Sequence, residues 1–262
     1  YTILQNVKER SFLTVNLNIS RNKNKLAKLS DAMNVYNESQ NASVSGTAPA
    51  QLYYDGVSMN AIWAVRSLGI DPHNGREIYL SSRGLPTYNW SAADQVVLGD
   101  EMPKFQGTGG ISFEWKGIGG NASFTFQYGA QMYNTTLVQK VENANLSDNV
   151  DARLFDGVWR PGEGGVKPYR APRYRDPSTG NWVTPETKPT SRFVQDRNEF
   201  ALTNLSLYYD FYRYEFLKRC GMERLRVSAY ANNLFTISSI EIERGTSYPF
   251  ARSFNFSLSV TF

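Results

Sequence analysis

Apolar and polar residues alternate along several stretches of the chain, most clearly in its last thirteen positions. Residues 250–262 read FARSFNFSLSVTF, with apolar side chains at even positions from Phe254 and small polar ones at odd positions. Successive side chains of a β-strand point to opposite faces, so this pattern predicts a strand with one apolar and one polar face. A strand with lipid on one side and a wet lumen on the other must show such alternation over about ten residues.

Five further segments alternate in the same way, and the connections between the six predicted strands run long, short, long, short and medium. The segments are 11–20, 105–116, 121–132, 199–213 and 223–235. In outer-membrane barrels, short periplasmic turns alternate with longer extracellular loops because neighbouring strands are antiparallel. We therefore predict an all-β antiparallel fold. Its long connections are predicted to be extracellular and to contain short helices near 26–36 and 137–146, with a small hairpin near 77–90.

The six predicted strands are too few to close a barrel. Single-chain barrels begin at about eight strands, and an open edge facing lipid is not tolerated. The predicted polar faces also carry charged residues, which suits a wide and wet lumen: Glu114, Lys116, Asp210, Arg224 and Arg226. We expect residues 1–262 to be the C-terminal portion of a larger transmembrane barrel, and the start at Tyr1, without a signal peptide, favours a processed or partial chain.

The composition of the chain argues against several classes of function. Among the 262 residues, no run approaches the about 18 apolar residues of a membrane helix, and the 14% aromatic content suits interfacial girdles. The basic residues are scattered, which argues against nucleic-acid binding. One cysteine, Cys220, and one histidine, His73, are poor material for catalysis, and the turn at Asp71 lacks the carboxylates of a calcium loop. We predict no enzyme activity, cofactor or metal.

Several motifs in a fixed order carry a family resemblance over nearly the whole chain. They are 69–78 (GIDPHNGREI), 97–104 (VLGDEMPK), 190–196 (TSRFVQD), 205–211 (LSLYYDF), 230–235 (YANNLF) and 248–254 (YPFARSF). In these segments the chain resembles the C-terminal part of SusC/RagA-type TonB-dependent outer-membrane transporters of Bacteroidetes. One departure is Tyr208, where the family usually has glycine.

The resemblance implies an antiparallel barrel of about 22 strands with a plug domain inside. It implies import of oligosaccharides or peptides across the outer membrane, with energy from the TonB complex acting through an N-terminal region outside this sequence. A SusD-like surface lipoprotein would cover the outer loops, and the lipid bilayer would surround the wall. The terminal Phe262 resembles the signal read by the barrel-assembly machinery, although a simple interfacial aromatic fits it equally.

Candidate site residues fall into two groups. Solute or the lipoprotein partner is expected to meet aromatic side chains of the long loops, although packing within the loops is the simpler reading: Trp90, Trp159, Tyr169, Tyr174 and Trp182. On the barrel wall, Glu114, Lys116, Arg224 and Arg226 are expected to face the lumen and to hydrate it or pair with the plug. A basic cluster at Arg170, Arg173 and Arg175 is interpreted as a solvated loop.

Two other functions stay open at this point. The first is a passive outer-membrane porin, which shares the two-faced strands. The second is a secreted soluble all-β carbohydrate-binding module, in which the apolar faces would pack on each other and not on lipid.

Overall fold

The computed structural model describes residues 2–6, 11–42, 46–145, 147, 150–163, 165–176, 179–212, 214–241 and 252–262. In chain order its strands are β1 (Thr2–Asn6), β2 (Ser11–Ser20), β3 (Ala61–Val65), β4 (Ser67–Ile70), β5 (Glu77–Leu80), β6 (Pro86–Thr87), β7 (Gln95–Asp100), β8 (Phe105–Trp115), β9 (Ile118–Tyr133), β10 (Tyr174–Arg175), β11 (Trp182–Val183), β12 (Val194–Tyr212), β13 (Arg224–Ser238) and β14 (Ser253–Thr261). Its α-helices are α1 (Asp31–Ala42), α2 (Thr135–Leu137), α3 (Arg153–Gly157) and α4 (Glu215–Arg219).

The chain divides into two compact units. We call the first the sheet unit, formed by Tyr1–Asn22, Pro103–Gly129 and Arg197–Phe262. We call the second the connection unit, formed by Lys23–Met102 and Ala130–Asp196. The connection unit therefore consists of the two long connections that the sequence predicts.

The sheet unit contains one seven-stranded sheet in the order β1-β2-β8-β9-β12-β13-β14. All six predicted strands are present, and β1 pairs antiparallel to β2 as a seventh. The registers of β2 with β8, β8 with β9, β12 with β13, and β13 with β14 are also antiparallel. The predicted all-β antiparallel fold is confirmed.

The β8–β9 hairpin corrects one predicted boundary. Trp115 lies opposite Ile118, so the connection is the two-residue turn Lys116–Gly117, with φ of 49° and 94°. Positive φ at both central residues is the type I′ geometry that matches strand twist. The predicted segments 105–116 and 121–132 placed the turn at 117–120, which was wrong by a few residues because Lys116 adopts the left-handed conformation.

The connection unit has a buried core of its own. Ile62 of β3 packs with Tyr133, Leu137, Val141 and Phe193, together with Val138 and Val158. Around this core lie the pair β3–β7, the three strands β4-β5-β6 and the pair β10–β11. Asn134 caps α2 by accepting hydrogen bonds from the backbone N–H groups of Thr136 and Leu137, and a π-helix, Val138–Glu142, continues from it.

The predicted helices and hairpin occur with shifted bounds. The helix expected near 26–36 is α1, which begins at Asp31, and the one near 137–146 is α2 with its π-helical continuation. The hairpin expected near 77–90 is the β5–β6 pair, to which β4 adds a third strand. None of the helices in the described residues is long and apolar enough to cross a membrane.

Candidate functional site

The polar face of the sheet unit carries a charged cluster near the end where the short turns lie. Asp210 of β12 stands opposite Arg226 of β13, whose Nε and Nη2 each donate to one carboxylate oxygen at 2.6 Å. Arg224 donates to the same carboxylate through Nε at 3.3 Å and through Nη2. The Asp210 side chain is buried beneath the two guanidinium groups, so two cations share one anion at this point.

Tyr208 extends this cluster across the sheet. Its hydroxyl donates to Glu114 Oε2 at 2.9 Å, and the Arg226 guanidinium lies 4.2 Å from its ring centroid. The ring fits because Gly119 on the neighbouring strand has no side chain: a Cβ there would lie 2.2 Å from Tyr208 Cζ. An aromatic ring laid over a glycine of the next strand is a known way of covering exposed backbone in a sheet. The structure therefore shows how Tyr208, the departure from the family pattern, is accommodated: its ring occupies the space left by Gly119.

The structure thus brings together three of the four predicted wall residues, Glu114, Arg224 and Arg226. Lys116 stands apart in the β8–β9 turn, where its Nζ lies 5.3 Å from the Trp115 ring centroid. The sequence also predicts Asp210 on the polar face, but it did not single out Asp210 or Tyr208 as site residues. Both occupy the polar positions of the β12 alternation, so pairing β12 against β13 in register would have found them.

The opposite, apolar face of the sheet unit stays exposed and carries an aromatic group at each end. At one end Phe200 lies 5.4 Å from Phe124 and 6.4 Å from Phe235, measured between ring centroids. At the other end Phe211 lies 4.5 Å from Tyr209 and 5.7 Å from Tyr214.

The spacing of the two aromatic groups is close to that of the aromatic girdles of transmembrane barrels. Phe200 and Phe211 both belong to β12, so they stand about 36 Å apart along the strand. A tilt of about 40° reduces this to about 28 Å along the barrel axis, close to the about 25 Å apolar band between aromatic girdles.

In the connection unit, a buried network that we call the ionic clasp joins Glu77, Glu142, Arg170 and Arg192. Arg192 donates to both carboxylate oxygens of Glu77 at 2.7 and 2.6 Å, and to Glu142 Oε1 at 2.5 Å. The backbone N–H of Arg170 donates to Glu142 Oε1 at 3.0 Å, and Thr187 Oγ1 donates to Glu142 Oε2 at 2.8 Å. Glu77 lies in the first long connection and the others in the second, so the clasp ties the two connections together.

In the ionic clasp, burial and the neighbouring opposite charges shift the pKa values of the ionised side chains in opposite directions. Burial opposes ionisation of Glu142, but the charges and hydrogen bonds of Arg192 and Arg170 outweigh it and hold the pKa of that carboxyl below its usual value. The pKa of Arg192 is raised, because the hydrogen bonds and charges of Glu77 and Glu142 overcome the cost of its burial. Burial lowers the pKa of Arg170, which as an arginine remains charged. The interpretation of Arg170 as a solvated residue was wrong, because only 4% of it is exposed.

The predicted loop aromatics divide into covered and open residues. Trp159 is buried: its Nε1 donates to the Pro72 carbonyl at 2.9 Å, and its ring covers Gly75, where a Cβ would lie 2.4 Å from Trp159 Cε3. In this structure Trp159 is a core residue and does not offer a contact surface.

The remaining aromatics are less enclosed. Trp90 is half-buried and donates to the Pro189 carbonyl at 3.2 Å, and Tyr169 is half-buried as well. The ring of Tyr174 lies 4.8 Å from the Arg76 guanidinium. Trp182 is the most open of the five, with 64% of its surface exposed and Arg173 5.3 Å from its ring centroid.

Among the residues that the structure describes, no group of three or more histidine, cysteine, aspartate or glutamate side chains is arranged to hold a metal ion.

A sheet whose apolar face is exposed between aromatic ends, and whose polar face carries paired charges, is typical of the wall of a transmembrane β-barrel. Comparison with known proteins places the chain in the same class. The curated TonB-dependent receptor P3 of Formosa agariphila is 27% identical over 237 residues, which are 84% of this chain and 22% of that protein. No family model matches the chain.

Solved structures agree on the fold. The RagAB peptide importer in its open-open state matches all of the chain with a TM-score of 0.72 and 18% identity, over 27% of the solved chain. Its closed-closed state matches with a TM-score of 0.71 and 19% identity, over 28% of the solved chain. The chain therefore spans about a quarter of the proteins it matches, and the resemblance to SusC/RagA-type TonB-dependent receptors is confirmed.

Proposed function

We propose that the chain forms part of the wall of a SusC/RagA-type outer-membrane transporter of about 22 strands. The whole protein would import oligosaccharides or peptides with energy from the TonB complex. A SusD-like surface lipoprotein would work with it at the extracellular loops. Residues 1–262 would be the C-terminal portion of the barrel, and the plug and earlier strands would lie outside them.

The observation that carries this proposal is the exposed apolar face of the sheet unit, bounded at each end by aromatic rings. Phe256 and Leu258 expose 82% and 66% of their surface on that face. A soluble carbohydrate-binding module would cover such a face with a second sheet. Contiguous apolar patches of this kind mark a surface that contacts lipid or another protein.

The RagAB structures support the mode of import by likeness of fold alone, since those proteins are described as peptide importers. The open Trp182 in the connection unit gives the lipoprotein or the solute an aromatic contact. The proposed substrates are oligosaccharides or peptides.

The proposal is tested by purifying the full-length natural protein from outer membranes and identifying what comes with it. We expect a heat-modifiable barrel several times heavier than 29.6 kDa, a co-purifying lipoprotein, and solute uptake that stops when TonB is deleted. Uptake that continues without TonB would instead identify a passive porin. A water-soluble protein without detergent would identify a secreted β-domain.

A further inference from the structure

A small cleft, which we call the turn cleft, lies in the sheet unit beside the two-residue turn between β8 and β9. It encloses about 260 Å³ and is lined by Lys116, Tyr209, Asp210, Tyr212 and Tyr214. Sites for drug-sized ligands occupy about 300–1,000 Å³. The turn cleft therefore suits one small polar group, such as the headgroup of a larger molecule whose remainder lies outside it.

The Lys116 ammonium is the charge that the turn cleft offers to a ligand. Its Nζ lies 5.3 Å from the Trp115 ring centroid, and no acidic side chain of the described residues pairs with it. Asp210, the other charged residue of the lining, already accepts hydrogen bonds from Arg224 and Arg226. A ligand therefore meets one uncompensated positive charge, which favours an anion.

Two tyrosine hydroxyl groups add hydrogen-bond donors to this charge. The hydroxyl oxygens of Tyr209 and Tyr214 are 2.6 Å apart, so one of them donates to the other. The accepting hydroxyl keeps its own O–H for a ligand. Phosphate oxygens accept strong hydrogen bonds from ammonium and hydroxyl groups, so the chemistry of the turn cleft fits a phosphodiester.

The surroundings of the turn cleft indicate what carries the phosphodiester. The aromatic group that contains Phe211 lies beside it, with Phe211 5.7 Å from Tyr214 and 6.0 Å from Phe216 between ring centroids. Trp115, Tyr214 and Phe216 expose 56%, 43% and 42% of their surface. Tryptophan and tyrosine are enriched at the level of lipid headgroups, and basic pockets at that level bind anionic headgroups. A phosphodiester held here would therefore belong to a membrane lipid.

We propose that the turn cleft binds the headgroup of an anionic phospholipid, whose acyl chains lie against the exposed apolar face of the sheet unit. The proposal rests on the proposed outer-membrane location and adds one specific lipid site to it. Phosphatidylglycerol has the fitting chemistry, because its headgroup carries one negative charge and no ammonium group. A zwitterionic headgroup would bring a second ammonium group close to Lys116, and like charges repel each other.

The test measures lipid binding to the full-length protein by native mass spectrometry, in detergent with added phosphatidylglycerol or phosphatidylcholine of the same acyl chains. Lys116→Asn removes the charge, and asparagine tolerates the positive φ of 49° at this position. Lys104→Asn is its matched control, because Lys104 is an exposed lysine at the opposite end of β8. A Tyr209→Phe/Tyr214→Phe double variant keeps both rings and removes the hydroxyl groups. Tyr128→Phe, at another exposed tyrosine, is the control for the double variant.

We expect the natural protein and both controls to bind one phosphatidylglycerol in preference to phosphatidylcholine. Lys116→Asn should weaken phosphatidylglycerol binding about tenfold and remove the preference, since one charge-assisted hydrogen bond is lost. The tyrosine double variant should weaken binding by a smaller factor. Heat modification shows whether each variant is folded. If Lys116→Asn does not fold, the tyrosine double variant and its control decide the question.

Three results would overturn the inference: equal binding of the two lipids by the natural protein, equal phosphatidylglycerol binding by folded Lys116→Asn and Lys104→Asn, or displacement of the lipid by inorganic phosphate. If the lipid preference is absent but solute uptake still requires TonB, the lipid site fails and the transport function stands. If the preference is present but uptake does not require TonB, the transport function fails and the lipid site stands. A protein that is water-soluble without detergent overturns both.

Discussion

In the sheet unit, Phe256 and Leu258 leave most of their surface open, whereas in the connection unit Phe193 and Val65 are completely covered. The connection unit obeys the rule of a water-soluble domain, with an apolar interior and its buried charges paired. The sheet unit turns its apolar residues outward and its paired charges toward the other face. One chain therefore contains two regions built for different surroundings, and the side to which the large apolar residues point tells them apart.

The largest expected effect is in the connection unit, from removing the centre of the ionic clasp. Arg192→Ala leaves Glu77 and Glu142 buried without their main partner, which costs about 3–5 kcal/mol. Hydrogen exchange of the full-length protein should show the two long connections opening while β2 and β13 stay protected. Arg175→Ala, at an exposed arginine of the same unit, is the control and should change little. If hydrogen exchange is unchanged in the Arg192→Ala variant, the ionic clasp does not stabilise the connection unit.

The next effect tests the outward apolar face directly. Leu207 lies on β12 between the two aromatic groups, and a Leu207→Arg substitution at a lipid-facing site costs about 2–4 kcal/mol. Ser206→Arg, one residue away on the polar face, is the matched control and should be tolerated. Folding of both full-length variants into lipid vesicles, followed by heat modification, measures the difference. Equal tolerance of the two substitutions would mean that no lipid lies against Leu207.

A smaller effect separates backbone strain from packing in the connection unit. Gly75 and Gly84 both have positive φ, 70° and 75°, but an added Cβ meets Trp159 only at Gly75. Gly75→Ala should therefore cost about 1–3 kcal/mol more than Gly84→Ala, since overpacking adds to the same strain. Thermal unfolding followed by tryptophan fluorescence compares them. An equal loss in both variants would show that the Trp159 ring moves aside freely.

The smallest expected effect is a loss of stability of the connection unit at low pH. The folded-state pKa of Glu142 lies below its unfolded value, so its stabilising contribution is complete above about pH 4.3 and is lost as the pH falls through the folded value. Hydrogen exchange between pH 7 and pH 3 should show the connection unit weakening in acid. Glu142→Gln should be weaker at pH 7 but less sensitive to pH. An identical pH dependence in both proteins would assign the acid effect to other carboxylates.

The strands were predictable because alternation is a local signal. Residues 11–20 and 253–261 carry it in full, and both form strands at those positions. The position of the turn at Lys116 was not predictable, since nothing in the alternation marks a lysine that adopts positive φ. The strand β3 was missed as well: its AIWAV run is apolar throughout, and a fully buried strand does not alternate.

The sites were less predictable than the strands because they depend on contacts between distant residues. Glu77 and Arg192 are 115 positions apart, and only the fold brings their charges together. Both lie within the motif segments that carry the family resemblance, which was the one available signal.

The ionic clasp has a practical consequence for engineering chimeric receptors. Glu77 comes from the first connection and its partner Arg192 from the second, so replacing one connection with that of a relative would leave a buried charge of the other without its partner. The two connections should therefore be exchanged together. Exchanged as a pair, they carry a complete set of ion pairs to the new scaffold, whereas exchange of either one alone breaks the pair between Arg192 and Glu77.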